Sequence, residues 1–208
     1  MPLNEYNRDQ LNTLILVRSH LKKQPTSLVE HIKEISAPYM VFRRKVKTFH
    51  EKYLSDICTA KCFEGNESAC CNREGIATFF ADFVINTVYA PEHELDLIKK
   101  TLNRKMTGNK CVYLTEKGCL WQYKPIVCEM FLCDHAKKSL KQKGESLYLD
   151  WKELRQEEKK FTWPDRPVLF DDLEKIFIKE NMESPLMYFH KSPGLLKIKS
   201  KWTCTCLQ

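Results

Sequence analysis

Residues 111–133 read CVYLTEKGCLWQYKPIVCEMFLC and place four cysteines around one glycine-containing turn and one proline. Residues 111–121 alternate and carry turn chemistry between Thr115 and Gly118, which predicts a short β-hairpin. Because the two ends of a hairpin lie close together, we expect Cys111 and Cys119 to be neighbours. Pro125 then begins a predicted helix, PIVCEMFLCDHAKKSLKQ, which stops before Gly144.

The predicted helix carries the other two cysteines of this stretch. Cys128 lies in its first turn, where unpaired amides and the positive end of the helix dipole favour a thiolate. Five residues along a helix turn through about 140°. We therefore expect Cys133 to diverge from Cys128 unless the helix unwinds or ends between them.

A first cysteine cluster, CTAKCFEGNESACC, lies upstream at residues 58–71. On a helix, residues four apart are rotated by about 40° relative to each other, so Cys58 and Cys62 can face one ion. Cys70 and Cys71 are adjacent and cannot face alike in a regular element. The sequence leaves open which of that pair is a ligand.

The surroundings of the cysteines argue against a disulfide framework. Ten of the 208 residues are Cys, yet the N-terminal apolar run from Leu14 to Val17 is too short for the core of a signal peptide. We therefore expect a cytoplasmic protein with reduced thiols. No run is long enough to span a bilayer, since Asp82 and Asn86 interrupt the apolar stretch FFADFVINTVYA.

Composition limits the class of protein further. Hydrophobic residues make up 43% and charged residues 29% of the chain, which is typical of a soluble globular protein. The six glycines are too scattered for a dinucleotide or Walker A loop, so we expect no such cofactor. The net charge of +7 comes with no nucleic-acid-binding motif, and we expect no nucleic-acid partner.

Thiols so densely grouped in a reducing compartment point to metal ligation by deprotonated sulfur. We favour an iron–sulfur cluster over a lone zinc or iron ion, because such clusters accept irregularly spaced cysteines from separate loops. The first candidate ligands are Cys58, Cys62, Cys71, Cys111, Cys119 and Cys128, followed by Cys70 and Cys133. The roles of His135 and of Cys204 and Cys206 in the basic tail stay open.

Together the two clusters and the apolar spacer between them resemble the cysteine-cluster family of zinc- or iron-chelating proteins (the YkgJ type, with a CxxCxxCC domain). The resemblance covers about residues 58–135 and departs from the family pattern in three places. Seven residues rather than a few separate Cys62 from Cys70, and Lys124 and Glu129 stand where arginines are common. It implies a bacterial or archaeal cytoplasmic metalloprotein without an assigned reaction. A relative with known chemistry is a lysine methylase, but this chain shows no methyl-donor motif.

The sequence therefore predicts a mainly α-helical fold with a small β-hairpin inside a cysteine-rich metal-binding core. We expect one compact unit in which N-terminal helices over 1–57 and C-terminal helices with a basic tail over 136–208 flank a core over 58–135. About three helices are expected before the first Cys, with Pro38 opening one of them. The sequence leaves three functions open: a metal-binding protein, a metal-dependent redox or group-transfer enzyme, and a structural zinc module that binds a protein partner. It assigns no catalytic residue.

Overall fold

The computed structural model describes residues 4–57, 64, 78–104, 111–162 and 167–188. Within these ranges the chain is mainly helical. The helices are α1 (Glu5–Lys23), α2 (Thr26–Tyr53), α3 (Ser55–Ile57), α4 (Phe80–Tyr89), α5 (Glu92–Leu102), α6 (Ile126–Met130), α7 (Asp134–Lys143), α8 (Glu145–Thr162) and α9 (Leu169–Lys179). The predicted mainly α-helical class is confirmed.

The predicted hairpin is also confirmed. Strand β1 (Leu114–Thr115) pairs antiparallel with β2 (Gly118–Cys119), and Leu114 lies opposite Cys119. The Thr115 hydroxyl donates to the Gly118 carbonyl over 2.8 Å, while Gly118 adopts a φ of +97°. Since few side chains tolerate that backbone conformation, the glycine allows the tight reversal.

The N-terminal region differs from the expectation at Pro38. This residue does not open a new helix but lies inside α2, which runs on to Tyr53. A proline in a helix interior removes a hydrogen bond and is unfavourable. The helix continues because its buried face continues past the proline, with Ile32 before it and Phe42 and Val46 after it all fully buried.

The helix predicted from Pro125 to residue 142 is interrupted. Helix α6 ends at Met130, whose carbonyl accepts a hydrogen bond from Arg155 over 2.8 Å. Cys133 is extended and caps the start of α7, its sulfur accepting from the Ala136 N–H over 3.5 Å. Both broken ends thus have side-chain partners, which makes the interruption stable.

Helix α4 lies in the middle of the hydrophobic core and packs against α1, α2, α5 and α9. Phe80 on α4 meets Phe177 on α9 with ring centroids 4.9 Å apart, and Phe83 meets Trp121 at 4.8 Å. The aromatic stretch FFADF at residues 79–83 predicts core, and the complete burial of Phe80 and Phe83 confirms it. The sequence after Pro91 predicts a helix with Leu95, Leu97, Ile98 and Leu102 in the core. Leu97 is instead 48% exposed, because it lies on the opposite face of α5 from Leu95 and Ile98.

Candidate functional site

The hairpin and the helix after it bring three of the predicted ligands into one region. Cys111 precedes β1, Cys119 ends β2, and Cys128 lies in the first turn of α6. Cys111 and Cys119 carry free thiols, and all three residues are half-buried. The sequence prediction that Cys111 and Cys119 are neighbours and that Cys128 occupies a first helical turn agrees with this arrangement.

The pKa values of the thiols reflect both their burial and their proximity. Burial raises the pKa of Cys111 to about 12, and the neighbouring charges of Cys119 and Cys128 raise it too. Burial likewise raises the pKa of Cys119 to about 11, again with a contribution from Cys128. The three sulfurs are therefore close enough for their charges to interact, and each thiolate disfavours the next.

Backbone N–H groups lie near these sulfurs. The amides of Tyr113 and Leu114 lower the pKa of the Cys111 thiol and the amide of Trp121 lowers that of Cys119, while the Leu114 N–H also donates to the Cys111 carbonyl over 3.1 Å. Amide donors to sulfur stabilise the thiolate form and surround many metal–thiolate centres. The loop thus favours negative charge on sulfur, although burial opposes it.

Three buried polar side chains hold the segment that joins Cys119 to Cys128. Asn86 on α4 donates to the Tyr123 carbonyl over 2.9 Å and accepts from the Tyr123 N–H over 3.1 Å. Asp82, one turn earlier, accepts from the Ile126 N–H over 3.2 Å. From α2, Arg43 donates to the Lys124 carbonyl over 2.7 Å. We call Arg43, Asp82 and Asn86 the loop clamp.

Arg43 also neutralises the acidic residue that follows Cys128. Its guanidinium lies 2.5 Å from the Glu129 carboxylate, and both side chains are buried. The Tyr39 hydroxyl accepts a further hydrogen bond from Arg43 over 2.9 Å. The position after Cys128 therefore carries no net charge, although the residue there is acidic.

Sequence reasoning missed the loop clamp. Asp82 and Asn86 interrupt an apolar stretch, and their spacing of about one helical turn is the signal that the sequence offers. Polar side chains on a buried helix face require hydrogen-bond partners. Their partners lie on a distant part of the chain, 37 residues away for Asn86 and Tyr123, so the sequence did not identify them.

A second group of buried polar side chains borders the cysteines on the side of α1. Gln10 accepts from Thr78 over 2.7 Å and from Tyr113 over 3.2 Å. The Tyr6 hydroxyl lies near both of them, and burial raises the pKa of Tyr6, with smaller contributions from the charges of Cys111 and Cys128. Helix α1 thus forms one wall of the cysteine region.

The remaining residues predicted for the site lie either outside the described residues or away from the three cysteines. Cys58, Cys62, Cys70, Cys71, Cys204 and Cys206 lie outside the described residues. His135 is exposed on α7, and Cys133 caps that helix. Within the described part of the chain, no three His, Cys, Asp or Glu side chains are arranged to hold a metal ion. The metal-binding role of the cysteine-rich region therefore remains a prediction.

Comparison with known proteins adds no relative. No family model matches the chain, and searches of curated proteins and of solved structures found no match either. The resemblance to the cysteine-cluster family accordingly rests on the motifs of residues 58–135. None of the helices in the described ranges has the length and hydrophobicity that a bilayer crossing requires.

Proposed function

We propose that the chain is a cytoplasmic metal-binding protein whose cysteine thiolates hold an iron–sulfur cluster or a zinc or iron centre. Cys111, Cys119 and Cys128 would supply ligands from the described part of the chain. The first cluster, Cys58, Cys62, Cys70 and Cys71, would supply the remainder. When bound, such a centre would serve as a redox group, as a Lewis acid or as a structural crosslink.

One observation supports this proposal above the others. Half-buried cysteines from three separate elements, Cys111, Cys119 and Cys128, lie in one region of the fold, and their charges raise the pKa values of Cys111 and Cys119. Buried thiols that raise one another's pKa gain nothing from this proximity in a metal-free protein, whereas a bound cation would stabilise all three thiolates at once. The donor set therefore fits a thiophilic metal.

A complete metal site requires more ligands than Cys111, Cys119 and Cys128 provide. A tetrahedral zinc site and each iron of a typical cluster require four ligands, counting sulfide in the cluster. Three cysteines leave at least one position for a further thiol. We expect that thiol to come from the first cluster, whose four cysteines precede Thr78, a residue bonded to Gln10 beside Tyr113.

The decisive experiment is anaerobic purification of the full chain from medium that contains iron and zinc. Iron, zinc and acid-labile sulfide are measured on the same sample as the visible spectrum. Iron with equivalent sulfide and a broad visible absorbance would support a cluster, and stoichiometric zinc without colour would support a zinc centre. Protein without metal, even after anaerobic reconstitution with iron and sulfide or with zinc, would reject the proposal.

Matched variants then connect the metal to the proposed ligands. Cys119→Ser should lower metal content and change the spectrum, because a serine hydroxyl is a poor ligand for these metals. Thr87→Val is the control, since Thr87 lies on α4 and its buried hydroxyl has no hydrogen-bond partner among the described residues. Equal metal content in the two variants would remove Cys119 from the ligand set.

A further inference from the structure

The segment between Cys119 and Cys128 depends on side chains for its conformation. Residues 120–125 belong to neither a strand nor a helix. A buried backbone segment outside helices and sheets still requires hydrogen-bond partners for its N–H and C=O groups. Here the loop clamp provides them at Tyr123, Lys124 and Ile126, so consecutive parts of the loop are fixed from outside.

An aromatic contact fixes the same loop at its other end. Trp121 is 3% exposed and lies between Phe83 and Tyr113, with ring centroids 4.8 and 5.3 Å away. Phe83 belongs to α4, the helix that also carries Asp82 and Asn86. One central helix therefore holds the loop both by packing and by hydrogen bonds.

The buried side chains of the loop clamp would lower the free energy of unfolding if the loop were displaced. Asp82 and Asn86 are 2% and 1% exposed on a mainly apolar helix, and Arg43 is 3% exposed. Buried polar groups without partners cost free energy. Displacement of the loop would deprive the buried Asn86 Oδ1 atom of its hydrogen bond from Tyr123 and would break the bond from Arg43 to the Lys124 carbonyl, so the loop is held firmly.

From this arrangement we infer that the loop clamp is a positioning device that holds the sulfurs of Cys119 and Cys128 in place before any metal binds. Asn86 and Arg43 are its positioning residues: they contact the backbone between the two cysteines and act on the site through it. The role in metal binding rests on the proposed function, whereas the positioning of the two thiols does not. Metal binding to this half of the site would then require little reorganisation.

The test has one readout that needs no metal and one that does. In reduced, metal-free full-length protein, dibromobimane crosslinks thiols that are close together, and peptide mapping locates the crosslink. Titration with Co²⁺ alone, followed by its visible absorption, measures affinity and thiolate coordination. The variants are Asn86→Leu, which removes both bonds to Tyr123, and the matched control Thr87→Val on the same helix.

We expect the wild type and Thr87→Val to form the Cys119–Cys128 crosslink and Asn86→Leu to lose most of it. We also expect Asn86→Leu to bind Co²⁺ about 10–100-fold more weakly, as is typical when a partner outside the ligand shell is removed. A residue that merely stabilised the fold would lower the melting temperature but leave the Co²⁺ affinity of the folded protein unchanged.

Each outcome bears on one of the two proposals. If folded Asn86→Leu keeps both the crosslink and the Co²⁺ affinity, the positioning role is wrong even when metal binding is real. If the wild type binds neither Co²⁺ nor the other metals but the crosslink still depends on Asn86, the proposed function fails and the positioning role stands. If Asn86→Leu does not fold, Arg43→Lys is measured instead. Lysine keeps the buried charge but lacks the guanidinium fork, in which Nη1 donates to Tyr39 while Nη2 donates to Lys124 and Glu129.

Discussion

Arg43 on α2 and Glu129 on α6 form a buried ion pair, with 2.5 Å between the guanidinium nitrogen and the carboxylate oxygen. Their side chains are only 3% and 7% exposed. The pair joins the long N-terminal helix to the residue directly after Cys128. It therefore couples the stability of the core to the conformation of the cysteine region.

Removal of Arg43 should be strongly destabilising. Arg43→Met leaves Glu129 buried without its cation, and we expect the free energy of unfolding to fall by about 3–5 kcal/mol. Denaturant unfolding followed by circular dichroism measures the change. The double variant Arg43→Met with Glu129→Leu should recover much of the loss, because it removes both charges together.

A second ion pair on the same helix serves as the control. Lys45 on α2 contacts Glu157 on α8 at 2.9 Å, but its side chain is 53% exposed. We expect Lys45→Met to change the free energy of unfolding by less than about 1 kcal/mol. Equal losses for Lys45→Met and Arg43→Met would contradict the importance assigned to the buried pair.

Asp82 predicts a specific pH dependence of stability. Burial raises its pKa from 3.8 to about 6 in the folded protein, so the folded state binds the Asp82 proton more tightly than the unfolded chain. The stabilisation from this proton is complete below pH 3.8 and is lost as the pH rises through about 6. Over the whole window it amounts to at most about 3 kcal/mol.

Comparison with Asp82→Asn isolates this contribution. Other groups titrate in the same range, including His50, whose pKa is lowered by burial and whose effect has the opposite sign. The difference in unfolding free energy between wild type and Asp82→Asn cancels them. We expect the wild type to gain on the variant as the pH falls from 7.5 to 5; a difference that is independent of pH would show that Asp82 keeps its ordinary pKa.

The sequence predicted features that depend on neighbouring residues and missed those that depend on distant ones. Alternation and Gly118 were sufficient for the hairpin, and Pro91 correctly marked the start of α5. The Arg43–Glu129 contact spans 86 residues, and no local pattern indicates which acid a buried arginine will meet. The end of α6 was missed for the same reason, since its capping partner Arg155 lies on α8.

Pro38 offers a test of how packing overrides local preference. The residue is exposed in the interior of α2, where proline costs about 3 kcal/mol relative to alanine in a helix. Pro38→Ala should therefore raise the free energy of unfolding, by about 1–3 kcal/mol once the greater entropy of the unfolded chain is subtracted. Lys33→Ala, an exposed change five residues earlier on the same helix, should alter the free energy of unfolding by less than about 0.5 kcal/mol. A less stable Pro38→Ala protein would show that the proline shapes α2 in a way the core requires.

The two cysteines around the α6–α7 break should respond differently to serine. Cys133 caps α7 through a sulfur that accepts from the Ala136 N–H at 3.5 Å, and a serine oxygen is a better acceptor at that position. We therefore expect Cys133→Ser to stabilise the metal-free protein by about 0.5–1 kcal/mol and to retain bound metal. Cys128→Ser, five residues earlier in the first turn of α6, should lose metal, because its sulfur interacts with those of Cys111 and Cys119. Unfolding curves of the metal-free variants measure the change in stability, and metal analysis of the purified variants measures the bound metal. Loss of metal from Cys133→Ser would make Cys133 a ligand. Full metal content in Cys128→Ser would remove Cys128 from the site.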